Sequence, residues 1–427
     1  KSGQGGEPQT VQIVRQGETT LYWFKFNSLY FILPAFRQPI VNPYLFTYIM
    51  THTSPAAWRQ KIGAVVLHPS TQLAILIIIV LNAIILGLQT SPAVVARCGA
   101  LLHWLDMAAL VIFIVELAAK NGAAALKLQT YTADTMTLDI DEGEFFIDDP
   151  DDLWKGTSLY KLYQEAYTPW EWHEAIFKRC TELGVLGFST PFDASAVDFL
   201  EELDVPFYKI ASFENIDIPL IKKVAATGKP IIMSTGMATL AELDEAVRTA
   251  RENGCSELVL LKCTSAYPAT PAGANLRTLP HLKELFDCEV GISDHTMGVG
   301  VSLAAVALGA SVIEKHFTTA RADGGVDSAF SMEPHELKEL AEESEKAWLS
   351  LGKIAYGPTP EERCSLKDRR SLYITEDLSA GDVLTKENVR SIRPGRGLLP
   401  KYYDVVLGKK VNRDVKRGTP LAWELFG

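Results

Sequence analysis

Two histidines each follow a short apolar run in the second half of the chain. His295 lies in Ser293–Thr296 and His316 in Glu314–Phe317, after residues 289–292 and 311–313, whose composition predicts successive β-strands. In a parallel α/β barrel the carboxyl ends of adjacent strands lie side by side at the face where chemistry takes place. Two imidazoles there can share one divalent metal and leave positions open for water and substrate. A single histidine at a strand end is more often structural, but a pair on consecutive strands favours a metal site.

Polar side chains follow the other predicted strands as well. Lys127 and Lys209 would supply positive charge, and the hydroxyl groups would supply hydrogen-bond donors, which suits a small molecule bearing phosphate and carboxylate groups. Gly236 would let the backbone approach such a ligand closely. Glu314 lies two residues before His316, on the same side of its strand, and would act as a base or orient a metal ligand. The strand-end groups are Lys127 and Gln129; Ser189 and Thr190; Lys209 and Ser212; Ser234 and Thr235; Lys262 and Thr264; Ser293, Asp294 and His295; Glu314, Lys315 and His316.

Short strand patterns alternate with amphipathic helical patterns after residue 122. Repeated β-then-α units predict a parallel sheet with right-handed crossovers. Seven strands are one fewer than a closed (β/α)8 barrel requires, so we expect an α/β TIM barrel that lacks its first strand. Residues 111–115 are strand-like, but a parallel crossover from them would be too short, whereas residues 62–67 could provide the strand. The predicted strands are residues 124–128, 185–189, 207–211, 230–233, 258–261, 289–292 and 311–313.

The rest of the chain differs from this pattern. Residues 1–70 have no clear period and stay unassigned, the barrel domain is predicted over residues 117–355, and residues 365–427 predict a small, mostly β domain. Residues 73–88 are almost wholly apolar and come close to the length that crosses a hydrocarbon core of about 30 Å. With the weaker apolar stretch that follows, residues 72–116 predict a helical hairpin that could associate with a membrane. A buried core helix is the alternative.

Residues 72–116 resemble the first two transmembrane helices of bacterial voltage-gated sodium channels. Nothing downstream resembles the arginine-rich voltage sensor or the pore, so the resemblance does not imply a channel. It implies a chain that joins two unrelated pieces, with membrane association only through this segment.

Composition excludes some functions. The net charge of −11 argues against a nucleic-acid partner, because phosphate neutralisation requires clustered Lys and Arg. Eight of the fourteen residues 139–152 are acidic, which indicates a solvated loop rather than a cation site with suitably spaced ligands. The six cysteines show no C-x-x-C spacing and fit a reducing compartment, so we expect a cytoplasmic protein. Cys263 ends a strand but has no neighbouring base in sequence, which disfavours it as a nucleophile.

From residue 121 to the end, the sequence resembles the sialic acid synthase family. The order and spacing of the motifs are specific to that family. The segment Arg393–Gly397 resembles part of the small antifreeze-like (SAF) domain with which these enzymes end. The motifs are Leu126–Tyr131, Glu165–His173, Ser189–Asp193, Tyr208–Ser212, Met233–Met237, Cys263–Pro268, Ser293–Thr296 and Glu314–Phe317.

The resemblance implies condensation of phosphoenolpyruvate with an amino-sugar aldehyde and release of phosphate by C–O cleavage. It implies that His295 and His316 bind a divalent metal, manganese or magnesium, and that Glu314 acts near the reacting carbons together with Lys127 and Lys209. The residues implied to hold phosphoenolpyruvate are Lys127, Thr190, Lys209, Ser212, Ser234 and Ser293.

The resemblance also implies a sugar pocket. Tyr267 and Asp327 would contact the sugar, and Ser265 stands where some relatives carry Asn. A homodimer is implied in which the SAF domain reaches across to the other subunit, so that Arg393 completes the partner's sugar pocket. The cluster Trp170–His173 favours the pseudaminic branch of the family over the neuraminic branch.

One departure from the family limits these expectations. The family opens with a strand that carries an acidic residue and an Asn-His pair, and this chain shows no such motif. Within the class, a legionaminic or N-acetylneuraminic acid synthase is the alternative. From a different class, the alternative is an inactive barrel that serves in binding, fused to a fragment of a membrane channel.

Overall fold

The computed structural model describes residues 29–34, 113–150, 152–255 and 257–426. The chain divides into two compact units, Lys1–Leu351 and Gly352–Gly427. The first unit carries the barrel strands and the second carries a small two-stranded sheet.

The strands of the first unit form one closed barrel in the order β1 to β8. The seven strands β2 to β8 are parallel neighbours, as the alternating pattern predicts. Strand β1 pairs antiparallel with both β2 and β8, so that Tyr30 stands opposite Lys127 on one side and His316 on the other. The strands are β1 Leu29–Pro34, β2 Ala125–Thr130, β3 Leu186–Pro191, β4 Tyr208–Ile210, β5 Ile231–Ser234, β6 Leu258–Cys263, β7 Glu289–Ser293 and β8 Val312–Phe317.

The barrel position for which the sequence pattern predicts no strand is therefore occupied by β1, a segment that the pattern leaves unassigned. Residues 113–120 are helical, so residues 113–115 do not belong to a strand. Ile114 and Val115 of this helix are buried and pack in one cluster with Leu126 of β2, so the end of the apolar stretch belongs to the barrel core. The alternative strand at residues 62–67 lies outside the described residues.

The predicted hairpin at residues 72–116 also lies outside the described part of the chain, except for its last four residues. Among the described residues, no helix is both long enough and apolar enough to cross a membrane.

Helices follow the strands, and side-chain caps define where several of them begin. The Asp193 carboxylate accepts hydrogen bonds from the backbone N–H of Ser195 (2.9 Å) and Ala196 (3.2 Å). Thr239 and Glu242 form a reciprocal capping box. Because such caps satisfy N–H groups that lack helical partners, they end the strand-to-helix loops at defined residues. The helices are residues 113–120, Ala133–Met136, Leu159–Ala166, His173–Leu183, Ala194–Glu202, Ile218–Ala225, Leu240–Glu252, Thr278–Phe286, Gly300–Ala307 and Pro334–Leu351.

The barrel interior is filled by one apolar cluster drawn from most of the strands. Phe188, Phe207, Ile232, Leu261 and Val312 are members of this cluster, and all are buried. Since side chains alternate along a strand, the residues two positions further on face the same interior, nearer the carboxyl ends. The residues placed there are Lys127, Thr190, Lys209, Ser234, Cys263, Ser293 and Glu314. His316 lies two residues after Glu314, on the same side of the strand.

Gly291 in β7 leaves space that the neighbouring strands occupy. An alanine Cβ at this position would lie 2.4 Å from the Val312 carbonyl oxygen and 2.7 Å from Leu261 Cδ2. We expect Gly291→Ala to lower the free energy of unfolding by about 1–3 kcal/mol or more, because the backbone of β8 cannot move aside cheaply. Urea titration would measure this loss. Gly300→Ala is the matched control, because its Cβ would meet nothing within 4 Å. Equal stability of the two variants would contradict the prediction.

The second unit is small and mostly non-helical. Strands β9 Ser371–Ile374 and β10 Val389–Ile392 pair antiparallel, and isolated bridges such as Val411 with Phe426 extend the β-type pairing. Leu372, Ile374, Val389 and other buried residues form its own core. The short helix Tyr403–Val406 follows β10. The unit therefore agrees with the small, mostly β domain that the sequence predicts.

Candidate active site

A buried carboxylate lies between two lysines at the carboxyl end of the barrel. Glu314 Oε2 lies 3.1 Å from Lys127 Nζ, and Glu314 Oε1 lies 3.7 Å from Lys209 Nζ. The Ser293 hydroxyl donates a hydrogen bond to Glu314 Oε1 (2.9 Å). All four side chains are buried. Four residues from β2, β4, β7 and β8 thus converge, each predicted from the sequence as a strand-end group.

The balance of charge in this cluster favours an anionic ligand. Burial lowers the pKa of Lys127 to about 7, although the nearby Glu314 carboxylate opposes the change. Burial would raise the pKa of Glu314, but the ammonium groups of Lys127 and Lys209 and the Ser293 hydroxyl lower it to about 2. Two lysines therefore face one ionised carboxylate. An anion bound beside them would raise the pKa of Lys127 again and be held by both lysines.

Hydroxyl groups surround the lysines. Lys209 Nζ donates hydrogen bonds to Ser234 Oγ (2.6 Å) and to the carbonyl oxygen of Ile210 (3.0 Å). Thr190 Oγ1 is buried and has no hydrogen-bond partner among the described residues. Because a buried hydroxyl without a partner is costly, Thr190 is well placed to bind a ligand that enters this space.

The loop after β5 comes close to the serines. The backbone N–H of Gly236 donates to Ser212 Oγ (3.1 Å), and Asn215 Nδ2 donates to the carbonyl oxygens of Ser234 and Gly236 (both 3.2 Å). A Cβ at position 236 would lie 2.3 Å from Ser265 Oγ and 2.6 Å from Ser212 Oγ. Glycine is therefore needed here for the close approach that the sequence indicates.

The two predicted metal ligands lie together. The ring centroids of His295 and His316 are 5.1 Å apart, which allows both rings to reach one ion. His295 Nδ1 lies 3.0 Å from the Thr264 carbonyl oxygen, and His316 Nδ1 lies 3.4 Å from Asp327 Oδ2. Such contacts orient an imidazole and direct its other nitrogen to a metal. Burial lowers the pKa of His316 to about 4, so the ring is neutral, as a metal ligand must be.

The donor set of the chain fits a divalent metal that keeps open positions. Within the described part of the chain, no group of three His, Cys, Asp or Glu side chains has the geometry of a metal site. Two imidazoles are one protein ligand fewer than a three-ligand catalytic site provides, so a divalent ion held by them would take its other ligands from water or substrate oxygens.

Cys263 lies closer to a base than its sequence neighbours suggest. Its Sγ is 3.9 Å from His295 Nδ1, because β6 and β7 are adjacent. Burial would raise the pKa of the thiol, but the contact with His295 lowers it to about 7. The sequence cannot reveal this neighbour, because the two residues meet only through the pairing of β6 with β7.

Aromatic rings border the histidines. The Tyr267 ring centroid is 4.5 Å from that of His295 and 6.1 Å from that of His316. Phe330 lies 4.9 Å from His316 and 5.3 Å from Tyr267. Tyr267 and Asp327, the predicted sugar contacts, are thus both next to the histidine pair.

Asp294 and Lys315, which the sequence places among the strand-end groups, point away from the interior. Lys315 Nζ lies 3.0 Å from Asp294 Oδ2, which also accepts from the Ser302 hydroxyl (2.6 Å). The Thr296 hydroxyl donates to Asp294 Oδ1 (2.7 Å). This buried ion pair satisfies its own hydrogen bonds, because Lys315 Nζ also donates to the Thr296 carbonyl oxygen (2.7 Å), and it ties both neighbours of His295 to the residue before His316. Both side chains point outward because successive side chains of a strand face opposite sides, and Asp294 and Lys315 each directly follow a residue that faces the interior.

Other predicted groups are also found elsewhere. Ser189 bonds to Thr130 Oγ1 (2.6 Å), which contacts His173 Nε2 (2.8 Å) in a buried cluster behind β2 and β3. Lys262 donates to the carbonyl oxygen of its neighbour, residue 263 (2.7 Å). Arg393 lies in the second unit, just after β10, and is exposed.

Sequence reasoning missed Glu214, two residues after Ser212 on the loop that follows β4. Its Oε2 is buried and has no hydrogen-bond partner among the described residues. Burial raises the pKa of Glu214 to about 7, although the nearby Lys209 and Lys127 oppose the change. The useful signal would have been an acidic residue close to a strand end that already carries a lysine and a serine.

Glu214 should make stability depend on pH. Its folded pKa of about 7 exceeds its ordinary value of 4.5, so the folded state binds more protons between these values. The stability contributed by the neutral carboxyl is complete below pH 4.5 and is lost as the pH rises through 7. Relative to the unmodified chain, Glu214→Gln should gain at most about 3 kcal/mol of unfolding free energy between pH 4.5 and 8. Urea titrations across this range measure the gain. If the unfolding free energies of Glu214→Gln, the unmodified chain and the exposed control Glu284→Gln change with pH in the same way, the raised pKa of Glu214 is refuted.

Comparisons with known proteins agree with this geometry. The model of the NeuB family matches residues 114–356, and the model of the SAF domain matches residues 369–426. The pseudaminic acid synthase of Helicobacter pylori is 42% identical over 307 residues, which cover 71% of this chain and 89% of that protein. The pseudaminic acid synthase of Campylobacter jejuni is 43% identical over 310 residues, which cover 72% of this chain and 89% of that protein.

A solved structure is similar as well. The N-acetylneuraminic acid synthetase of Leptospira borgpetersenii, crystallised with citrate, superposes with a TM-score of 0.54 at 30% identity, covering 61% of this chain and 85% of that one. The family match begins at residue 114, inside the helix that packs on β2, and the predicted joining of a sodium-channel fragment to the barrel is unsupported.

Proposed function

The chain belongs to the NeuB family, and we propose that it is a pseudaminic acid synthase. It is a transferase that uses phosphoenolpyruvate. The proposed reaction joins phosphoenolpyruvate to a 2,4-diacetamido-2,4,6-trideoxy hexose and releases phosphate. The observation that supports it most directly is the Glu314 carboxylate between Lys127 and Lys209, beside the histidine pair.

Phosphoenolpyruvate carries a phosphate and a carboxylate, and the lysine and hydroxyl groups suit both. Lys127 and Lys209 would neutralise the two anionic groups, and Gly236 would admit them close to the backbone. Binding would raise the pKa of Lys127 from about 7, so that its ammonium form is held in the complex. The hydroxyl donors in this proposal are Thr190, Ser212, Ser234 and Ser293.

The bond changes define the role of Glu314. Carbon 3 of phosphoenolpyruvate attacks the aldehyde carbon of the sugar, water adds to carbon 2, and the C–O bond to phosphate breaks. Positive charge develops at carbon 2 before water adds. Glu314, whose pKa of about 2 keeps it ionised, would stabilise that charge and accept a proton from the water. The Lys127 ammonium would give a proton to the developing alkoxide of the aldehyde oxygen, and the proton that Glu314 accepts from water would replace it, since Lys127 Nζ lies 3.1 Å from Glu314 Oε2. The proton of the new carbon-2 hydroxyl would leave with phosphate as the ketone forms.

Synthases of the NeuB family generally depend on a divalent metal ion. We propose that His295 and His316 hold it and that the metal is manganese or magnesium. When bound, such an ion polarises the aldehyde oxygen of the sugar. Tyr267, Asp327 and Ser265 would contact the sugar around this position.

Phosphate release tests the proposal. Purified protein is incubated with phosphoenolpyruvate, a divalent metal and one sugar at a time, and inorganic phosphate is measured. We expect release with the 2,4-diacetamido-2,4,6-trideoxy hexose of the pseudaminic series. The legionaminic and neuraminic alternatives are not favoured by the relatives. Release with N-acetylmannosamine alone would reverse this preference, and no release with any sugar would favour an inactive barrel. Lys209→Met should remove activity, whereas the exposed control Lys222→Met should retain it.

We also propose that the active form is a homodimer in which Arg393 completes the sugar pocket of the partner subunit. The proposal rests on the resemblance of residues 393–397 to the SAF domain. A complementation assay tests it. Arg393→Ala and His316→Ala chains are each expected to be inactive, but a mixed dimer should recover one of its two sites, which is about half of full activity per mixed dimer and about a quarter for a random equimolar mixture. Absence of recovery in verified mixed dimers would oppose the exchange.

A further inference from the structure

Trp154 reaches the neighbourhood of the site from the long segment between β2 and β3. Its indole Nε1–H donates a hydrogen bond to the Val326 carbonyl oxygen (3.1 Å), in the loop after β8. Its ring centroid is 6.1 Å from that of Tyr267. The indole is half-buried, so part of its surface still faces open space.

The loop that carries Trp154 is closed by its own hydrogen bonds. The backbone N–H of Ile147 donates to the Thr157 carbonyl oxygen (3.0 Å), and the Gly156 N–H donates to the Ile147 carbonyl oxygen (2.8 Å). The Trp154 N–H also donates to Asp152 Oδ1 (2.8 Å). Trp154 is therefore held in position from within its loop and by the loop after β8.

The indole lies at the sugar end of the site rather than the phosphate end. Val326, which accepts its hydrogen bond, directly precedes Asp327, and Asp327 Oδ2 is 3.4 Å from His316 Nδ1. Tyr267 lies between Trp154 and the histidines, with Phe330 against its ring. Trp154, Tyr267 and Phe330 thus form a continuous aromatic wall beside the histidine pair.

We propose that Trp154 is a specificity-determining residue that recognises the apolar groups of the sugar: the carbon-6 methyl and the acetamido methyls. This inference rests on the proposed function. The single hydrogen-bond donor of the indole is already used by Val326, so the ring offers only apolar surface to a ligand. A methyl group is well accommodated there, whereas a sugar hydroxyl at the same place would lose its water partners without gaining a donor or acceptor.

Kinetic selectivity tests the proposal. For Trp154→Ala we expect kcat/KM for the 2,4-diacetamido-2,4,6-trideoxy hexose to fall about tenfold or more, with the KM for phosphoenolpyruvate unchanged. The preference over N-acetylmannosamine, which bears a 6-hydroxyl, should fall with it. Trp154→Phe retains an aromatic ring but loses the N–H, and should retain most of the preference. Leu153→Ala, an exposed neighbour on the same loop, is the control and should change neither value.

Two results would overturn the inference. If Trp154→Phe behaves like Trp154→Ala, the hydrogen bond to Val326 matters and the residue only fastens the loop. If the KM values for both substrates rise together, the variant has disturbed the whole site.

A binding measurement separates this inference from the proposed function. Saturation-transfer NMR of the trideoxy sugar should show transfer to its methyl protons from the unmodified protein and from Leu153→Ala, and much less from Trp154→Ala. Failure of the unmodified protein to release phosphate would refute the proposed function. Unchanged methyl transfer in Trp154→Ala, or no methyl transfer from the unmodified protein, would refute the role of Trp154 whether or not phosphate is released.

Discussion

Replacing His316 with alanine is expected to abolish retention of a divalent metal by the purified protein and to lower phosphate release roughly a thousandfold, since Lewis-acid polarisation contributes several kcal/mol. His295→Ala should have the same effect, because the two rings lie 5.1 Å apart and one imidazole cannot hold the ion alone. Elemental analysis after gel filtration gives the metal content, and calorimetric titration with Mn²⁺ gives the affinity.

His335→Ala provides the control for both variants. His335 is exposed and lies on the helix Pro334–Leu351, away from the histidine pair, so its loss should change neither metal content nor activity. The metal assignment fails if purified His295→Ala and His316→Ala chains keep the metal content of the unmodified protein.

Glu314→Gln is expected to lower kcat roughly a thousandfold, because the site loses the ionised carboxylate that faces the developing positive charge. It should also lower the free energy of unfolding by about 3 kcal/mol, since removing one partner of a buried ion pair leaves the other uncompensated. Lys127 and Lys209 would then face each other without a counter-charge. Steady-state kinetics and urea titration measure the two effects separately.

The exposed pair of Glu343 and Lys346 supplies the matched control. Glu343→Gln removes the same charge from a solvated ion pair, and its effect on stability should stay within about 0.5 kcal/mol. If Glu314→Gln were as stable and as active as Glu343→Gln, the carboxylate would have no part in the reaction and little part in the fold.

The seven parallel strands could be predicted because each is a short apolar run bounded by turn residues and separated by a helical pattern. The strand β1 Leu29–Pro34 could not, because its pairing is antiparallel and its neighbours are β2 and β8, which are remote in sequence. A local pattern indicates that a segment can be a strand, but not which edge it will join.

The sequence also predicted the site residues only in part. The types and spacing of Lys127, Lys209, Glu314, His295 and His316 indicated an anion and a metal at strand ends, and the fold brings all five to one region. Two-residue alternation, applied strictly, would already have separated Glu314 from its neighbour Lys315. Glu214 has only its closeness to the strand end with Lys209 and Ser212 as a signal, and Trp154, on a long loop, has none.

The sequence alone determined the class of fold and the chemical inventory, because strand and helix periods and residue types are local properties. Only the tertiary structure decided which groups meet. Closure of the barrel places Lys127 of β2 against Glu314 of β8 and directs the Asp294–Lys315 pair outward. It also brings Cys263 beside His295 and Trp154 beside Tyr267. Burial then lowers the pKa of Lys127 to about 7 and raises that of Glu214 to about 7, because both groups lose water that no local pattern records.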